Sequence, residues 1–366
     1  MARDSVDTDR DEEARNAEDT AVAGAPSDVE LAEEAPSEAE VRTPPHLRGK
    51  DYLTVYRRAL REFGKDQSTD IAAGLTYFAV LALFPALLAI VSLLSLVNQD
   101  SNVTEQLLAL FSSIAPADTV EALEGPIEDL TATPAAGLGF VIGLVGAIWS
   151  ASGFVGAFSR GMNRIYGVKE GRPYLKFQPV ILLVTVIALI TLTTMALIIV
   201  LSGDVAEAVG RLVGIEETTI LVWNIAKWPL AAALAVLILA MLYYFTPNVK
   251  QHKFRWLTVG SVTALVVWAA ATFGFFFYVS NFGNYDETYG TLGGVIVFLL
   301  WLYISNMALL YGAEVDSEIE RVRELRAGIK AEYSVQLPLR GSARIDAAIE
   351  AEAKAVLEAK QLRQEH

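Results

Sequence analysis

The sequence predicts an all-helical, polytopic membrane bundle with six transmembrane helices, both termini in the cytoplasm, and short amphipathic helices outside the bilayer. Two observations carry that prediction. Apolar residues make up 53% of the 366 residues, with a mean hydropathy of +0.38, and they gather in long, nearly charge-free blocks. Lys and Arg, by contrast, are concentrated in alternate connections between those blocks.

A hydrocarbon core of about 30 Å takes roughly 20 apolar residues in a helix, and irregular backbone is not tolerated facing lipid. Six segments meet this requirement: 71–97, 135–158, 179–202, 228–245, 257–281 and 291–313, and none contains Asp, Glu, Lys or Arg. Ahead of the first stand Arg57, Arg58, Arg61 and Lys65. The connection 98–134 has no Lys or Arg but carries Asp100, Glu105, Asp118, Glu121, Glu124, Glu128 and Asp129. The next is basic, with Arg160, Arg164, Lys169, Arg172 and Lys176. The third sets Arg211 against Asp204, Glu207, Glu216 and Glu217. Lys250, Lys253 and Arg255 follow, then a turn bearing only Asp286 and Glu287, then Arg321, Arg323 and Arg326. The positive-inside rule places both termini in the cytoplasm.

The flanks divide the rest of the chain. Residues 1–45 are rich in Asp, Glu, Ala and Pro and poor in bulky apolar residues, which predicts a disordered acidic cytoplasmic tail and accounts for much of the net charge of −14. Over 46–70, Leu53, Tyr56, Leu60 and Phe63 recur at helical spacing among Arg57, Arg58 and Arg61, predicting an amphipathic helix on an anionic cytoplasmic leaflet, with Ser68 or Thr69 capping the first span. The acidic connection 98–134 is too long for a bare link and predicts two short helices over the outer mouth. Lys227, between Trp223 and Trp228 with Pro229 just inside the helix start, reads as an outer interfacial anchor. Residues 317–366 form a charged cytoplasmic tail. Within it Ile345, Ile349, Ala353 and Val356 mark a helix that is either docked or solvated.

Several residues inside the spans invite a functional reading. Pro85, midway along the first span, removes a donor to the carbonyl of Leu81 and predicts a kink or break there. Such a break serves packing or exposes backbone to a substrate. On the second span Gly139, Gly143, Ala147 and Ala151 form a small-residue face that suits close packing within the chain or self-association. Trp149 and Ser152 precede a polar, basic run containing Arg160, Asn163 and Arg164. The sixth span carries Tyr303, Ser305 and Asn306, with Glu314 at its inner end placed to pair with Arg160 or Arg164. A buried Asn must find partners, so Asn306 should face other helices or a wet cavity.

The sequence also excludes functions. With no Cys and only His46, His252 and His366, all widely separated, thiolate and imidazole metal clusters have no ligands, and no catalytic centre or cofactor is expected. No glycine-rich phosphate loop, nucleophile elbow or HExxH is present, nor an intramembrane carboxylate for proton relay. The basic inner loops follow from membrane orientation, so no nucleic-acid partner is expected.

At this point the chain resembles a known family. The run YGTLGGVIVFLLWLYISNMALLYGAEV, from Tyr289 and Gly290 to Val315, is similar to the closing signature of the YihY/BrkB family of bacterial inner-membrane proteins. DIAAGLTYFAVLALFP, containing Tyr77 and Pro85, resembles that family's first span. IWSASG with MNRIYGV resembles its second, and LYYFTPNVK the end of its fourth. Where many of its members carry an arginine after the WSAS-like run, this chain has Gly153. The resemblance implies six spans and a protein formerly grouped as ribonuclease BN-like, and names no substrate. A transporter or translocator of a small molecule or lipid, using a polar cavity near Tyr77, Pro85, Trp149 and Asn306, is the first functional expectation. A non-transporting scaffold or envelope-integrity protein is the second.

Overall fold

The computed structural model of the chain describes residues 49–97, 136–200, 217–251, 257–282 and 291–364. The acidic tail, the connection 98–134, Tyr289 and Gly290 lie outside the described residues, as does the side chain of Pro85. The described residues form eight helices: α1 (Gly49–Lys65), α2 (Ser68–Val97), α3 (Ala136–Ile165), α4 (Tyr174–Val200), α5 (Glu217–Phe245), α6 (Val259–Phe282), α7 (Thr291–Arg326) and α8 (Ala343–Gln364). There is no strand among them, only an isolated antiparallel bridge between Val249 and Leu339.

Five of these helices, α3 to α7, are long and apolar enough to cross a membrane, and α2 carries a shorter apolar run over Ser68–Leu83. Two starts differ from the sequence expectation. Helix α5 begins at Glu217, so Pro229 sits in its interior and not at its first turn. Helix α4 begins at Tyr174, with Pro179 already inside it. Membrane helices accept such prolines because the single freed carbonyl is satisfied locally. Helix α2 likewise continues as helix through Pro85, so the break that the sequence allowed there is not present.

In lipid, apolar burial gives little drive to helix association, so close backbone approach and hydrogen bonds must hold the bundle. Helices α2 and α3 lie antiparallel: a methyl placed on Gly153 would sit 3.1 Å from Phe78, and one on Gly161 2.9 Å from Ile71. Gly143 and Ala147 on the small-residue face are also buried within the chain. Helices α6 and α7 meet as closely, because a methyl on Gly260 would collide with the carbonyl of Gly312 and with Asp316. Further along that seam Trp268 donates to Ser305 Oγ at 3.0 Å and Trp301 to Thr272 Oγ1 at 3.3 Å. The fully buried large side chains Leu75, Phe158, Met162, Ile181 and Leu310 all belong to one core, and Phe158 stacks on Tyr243 with ring centroids 6.2 Å apart.

Helix α7 has 36 residues, about 54 Å at 1.5 Å per residue, so it must extend well beyond a 30 Å core. Helix α1 packs antiparallel along that extension. Val55 and Ala59 are buried against Val315, Ile319 and Val322, Arg58 pairs with Glu318 at 2.9 Å, and Arg326 with Asp51 at 2.6 Å. The amphipathic helix predicted over 46–70 is therefore present, but its apolar positions are divided. Tyr56 and Phe63 turn to the bundle, Tyr56 sharing a hydrogen bond with Thr263 at 3.0 Å and Phe63 meeting Tyr311 edge-on. Leu53 and Leu60 stay exposed.

Candidate functional site

Buried polar groups concentrate at the end of the bundle where α1 packs, and they form two sets. The first ties α2 to α7. Asn306, nearly fully buried, donates through Nδ2 to Thr76 Oγ1 at 3.1 Å, and Thr76 donates to the carbonyl of Ala72 at 2.8 Å. Two turns further along, Ser68 donates to Glu314 Oε1 at 3.3 Å, both side chains being buried. Ser68 is the first residue of α2, so the serine predicted as a cap instead spends its hydroxyl on α7. Glu314 was expected beside Arg160 or Arg164, but Arg164 donates to Gln67 Oε1 at 2.7 Å and Arg160 lies over the ring of Phe78. Nearby, Asp316 accepts from the backbone of Gly260 at 2.7 Å, and Thr258 and Ser261 exchange side-chain and backbone bonds as a capping box for α6.

The second set closes the end of α5. The last carbonyls of a helix have no internal partner and carry partial negative charge, so guanidinium groups suit them. Arg172 donates to the carbonyls of Thr246 at 2.6 Å and Phe245 at 3.3 Å while forming a fork on Glu170, at 2.8 Å through Nε and 2.7 Å through Nη2. Arg340, arriving from the segment after α7, donates to the carbonyls of Tyr244 at 2.6 Å and Val249 at 2.8 Å. Asn163 sits between the two: its Oδ1 accepts from the backbone of Asn248 at 2.7 Å and its Nδ2 donates to Glu170 Oε2 at 3.0 Å. Asn248 in turn donates to the carbonyls of Lys169 and Gly341. Burial pushes the Glu170 carboxyl upward, but its hydrogen bonds from Arg172 outweigh this and hold it below the ordinary 4.5. Burial lowers Arg340 from its usual value.

Local backbone makes this convergence possible. Gly167, at φ 66°, ends α3 in the left-handed region, with the amide of Val168 bonded back to the carbonyl of Asn163 at 2.8 Å, and so turns the chain toward Glu170. Gly171 lets the loop touch the 341–342 backbone so closely that a Cβ there would overlap the Gly341 carbonyl.

Of the residues singled out in the sequence, the structure joins Asn163 to the second set, and Asn306 and Glu314 to the first. Ser152 is buried and bonds its own helix at the carbonyl of Trp149, 2.7 Å away. Tyr303 packs partly buried against the core. Tyr77 and Trp149 are exposed, at 61% and 65%. Sequence reasoning missed Thr76, Arg172, Asn248 and Arg340 as a functional group of residues. The TPN run after α5 and the GRP run 171–173 were the available signals, since a Thr-Pro-Asn turn leaves helix carbonyls in need of donors. Among the described residues, no group of three or more His, Asp or Glu is placed to hold a metal ion.

An all-helical chain with five apolar helices of spanning length and a polar, interlocked end is a multi-pass membrane protein. It belongs to the Virulence factor BrkB family, whose profile matches residues 59–334. It is 28% identical over 262 residues to the putative ribonuclease-like protein YfkH of Bacillus subtilis, covering 72% of this chain and 92% of that one. It is 30% identical over 279 residues to a UPF0761 membrane protein of Alkalilimnicola ehrlichii and 29% identical over 286 residues to one of Rhodospirillum centenum. These alignments cover 73% and 76% of this chain but 59% of each relative, so the chain spans about three fifths of their length. No solved structure matches the chain.

Proposed function

We propose that the protein crosses the bacterial cytoplasmic membrane six times, with both termini inside, and translocates a small molecule or lipid along the bundle without catalysing a reaction. One observation carries this reading: the buried polar contacts that join the helices gather at one end of the bundle. Both polar sets lie at the end bearing α1 and α8, which the charge pattern assigns to the cytoplasm. A bundle latched by polar contacts on one side suits alternating access, with the Asn306–Thr76 and Glu314–Ser68 contacts as the inner gate. The cations of the inner end support the non-enzymatic part. Arg172 and Arg340 use their donors on helix carbonyls and on Glu170, which leaves little for a nucleic-acid backbone.

A scaffold or envelope-integrity role is the second reading, favoured by α8. None of its residues is buried, and Ile349, Val356, Leu357 and Leu362 are exposed, as expected of a helix that recruits a partner.

The cysteine-free chain makes the test direct. Single cysteines at Tyr77, Trp149 and Tyr303, and at Phe273 as a lipid-facing control, are probed in spheroplasts with a membrane-impermeant maleimide. Translocation predicts labelling from outside at one or more of the first three and none at the control. Normal abundance with no labelling at any of the three would leave the scaffold reading. Cysteines at Gly49 and Ser342 should label only after permeabilisation, which tests the orientation separately.

A further inference from the structure

Arg160 is a cation that neither polar set uses. It is exposed on α3, near the end of the span Val141–Ile165, and has no carboxylate partner among the described residues. Its guanidinium does not reach toward the nearby helix end. It lies back along α3, where a methyl on Gly156 would meet its Nη1 at 3.8 Å, and rests 5.9 Å from the centroid of the Phe78 ring on α2. Side chains on a helix lean toward its N-terminus, and Gly156 supplies the bare backbone that lets this one lie flat. In the orientation proposed above, that lean carries the charge into the bilayer, opposite to the usual snorkelling direction.

The surroundings extend the seat. Trp149, Gly153, Gly156 and Arg160 fall at intervals of four, three and four residues, one stripe of α3 about 16 Å long at 1.5 Å per residue. Phe78 flanks the stripe at both Gly153 and Arg160. An exposed guanidinium without a counter-charge calls for an anion, and the exposed Trp149 further along the stripe is apolar.

We propose that the surface of this seam between α2 and α3 is a binding site for an anionic phospholipid, its headgroup phosphodiester on Arg160 and an acyl chain against Phe78 and Trp149. The site deepens the functional reading by supplying a lipid-shaped ligand, and it rests on that reading only for the membrane side on which it opens.

The test uses the purified full-length protein in detergent, titrated with phosphatidylglycerol and followed by native mass spectrometry. Wild type should retain one lipid more tightly than phosphatidylcholine. Arg160→Gln should weaken retention about tenfold, the size of a lost charge-assisted hydrogen bond. Arg57→Gln, which removes an exposed charge from α1, should leave retention unchanged. Gly156→Leu, which displaces the guanidinium without removing its charge, should weaken retention as Arg160→Gln does. Equal retention by wild type and Arg160→Gln would overturn the proposal, as would competition by inorganic phosphate as effective as by the lipid. Orientation is read independently by the terminal cysteines, so a reversed topology would move the site to the outer leaflet without abolishing retention.

Discussion

Asn306 on α7 donates to Thr76 on α2 at 3.1 Å, and the Thr76 hydroxyl in turn donates to the carbonyl of Ala72 one turn earlier. The contact satisfies a buried amide that would otherwise be costly in an apolar surround, and it joins the last spanning helix to the first apolar helix of the bundle. Interhelical bonds of this kind contribute about 0.6 kcal/mol on average and up to about 1.7. Asn306→Leu should therefore lower the unfolding free energy in detergent by roughly that amount. Combined with Thr76→Val it should cost less than the two single changes summed, because both remove the same bond. Additive losses would show that the pair is not coupled.

The fork between Arg172 and Glu170 gives a pH dependence with a defined sign. Glu170 titrates below its ordinary value of 4.5 because the folded protein favours its charged form. Its contribution is thus fully present above about 4.5 and is lost as pH falls through the lower folded value. Melting temperatures of wild type and Glu170→Gln should differ at pH 7, and the gap should narrow as pH falls below 4.5. A gap that stayed constant over that range would place the effect of the substitution elsewhere.

Arg172→Lys tests the geometry of the same fork. A lysine keeps the charge but cannot reach Glu170 through two parallel donors and the Thr246 carbonyl together. The substitution should destabilise the protein by about 1–3 kcal/mol, in the range of a hydrogen bond to a charged group. Chemical unfolding should register it with little change in m-value.

Helices α6 and α7 touch at Gly260 and Gly312, where a methyl on Gly312 would lie 2.5 Å from the Cβ of Ala264 and 2.6 Å from the hydroxyl oxygen of Tyr243. Gly312→Val should cost about 1–3 kcal/mol through overpacking and reduce the yield of monodisperse protein on size-exclusion chromatography. Gly74→Ala is the matched control on α2, because nothing lies within 4 Å of the added methyl. It should behave as wild type.

Outside the bilayer the hydrophobic effect returns as a driving force, and α1 depends on it. Val55 is completely buried in the small core with Ala59, Val315, Ile319 and Val322. Val55→Asp places an unpaired charge there and should release α1 from α7 without unfolding the spanning helices. Limited proteolysis should then cut between α1 and α2 near Gln67, with helical circular dichroism largely retained.

The helices themselves were legible because each is written in local terms. Long apolar runs require helix in lipid, and the charges around them report side preference without reference to any distant residue. Their ends were less legible. Pro179 and Pro229 read as starts, whereas the helices begin earlier, since a membrane helix can carry a proline inside it. The site was legible only in part. Asn306, Glu314 and Asn163 stood out as polar groups in apolar or interfacial positions, yet the partners expected for Glu314 were the wrong ones. Coulomb attraction suggested Arg160 or Arg164, and backbone geometry sent Arg164 to Gln67 and Arg160 to Phe78.

The sequence alone thus determined the all-helical membrane class, the positions of the apolar helices, the amphipathic character of α1 and the helical C-terminal stretch. Each depends on composition and period within a single segment. Only the tertiary structure decided which polar groups meet: Thr76 with Asn306, Ser68 with Glu314, and Arg172 and Arg340 with the carbonyls that end α5. Those partners lie between about 70 and 250 residues apart along the chain, so their pairing follows from how helices pack, through glycine contacts such as Gly260 with Gly312. No local pattern encodes that choice.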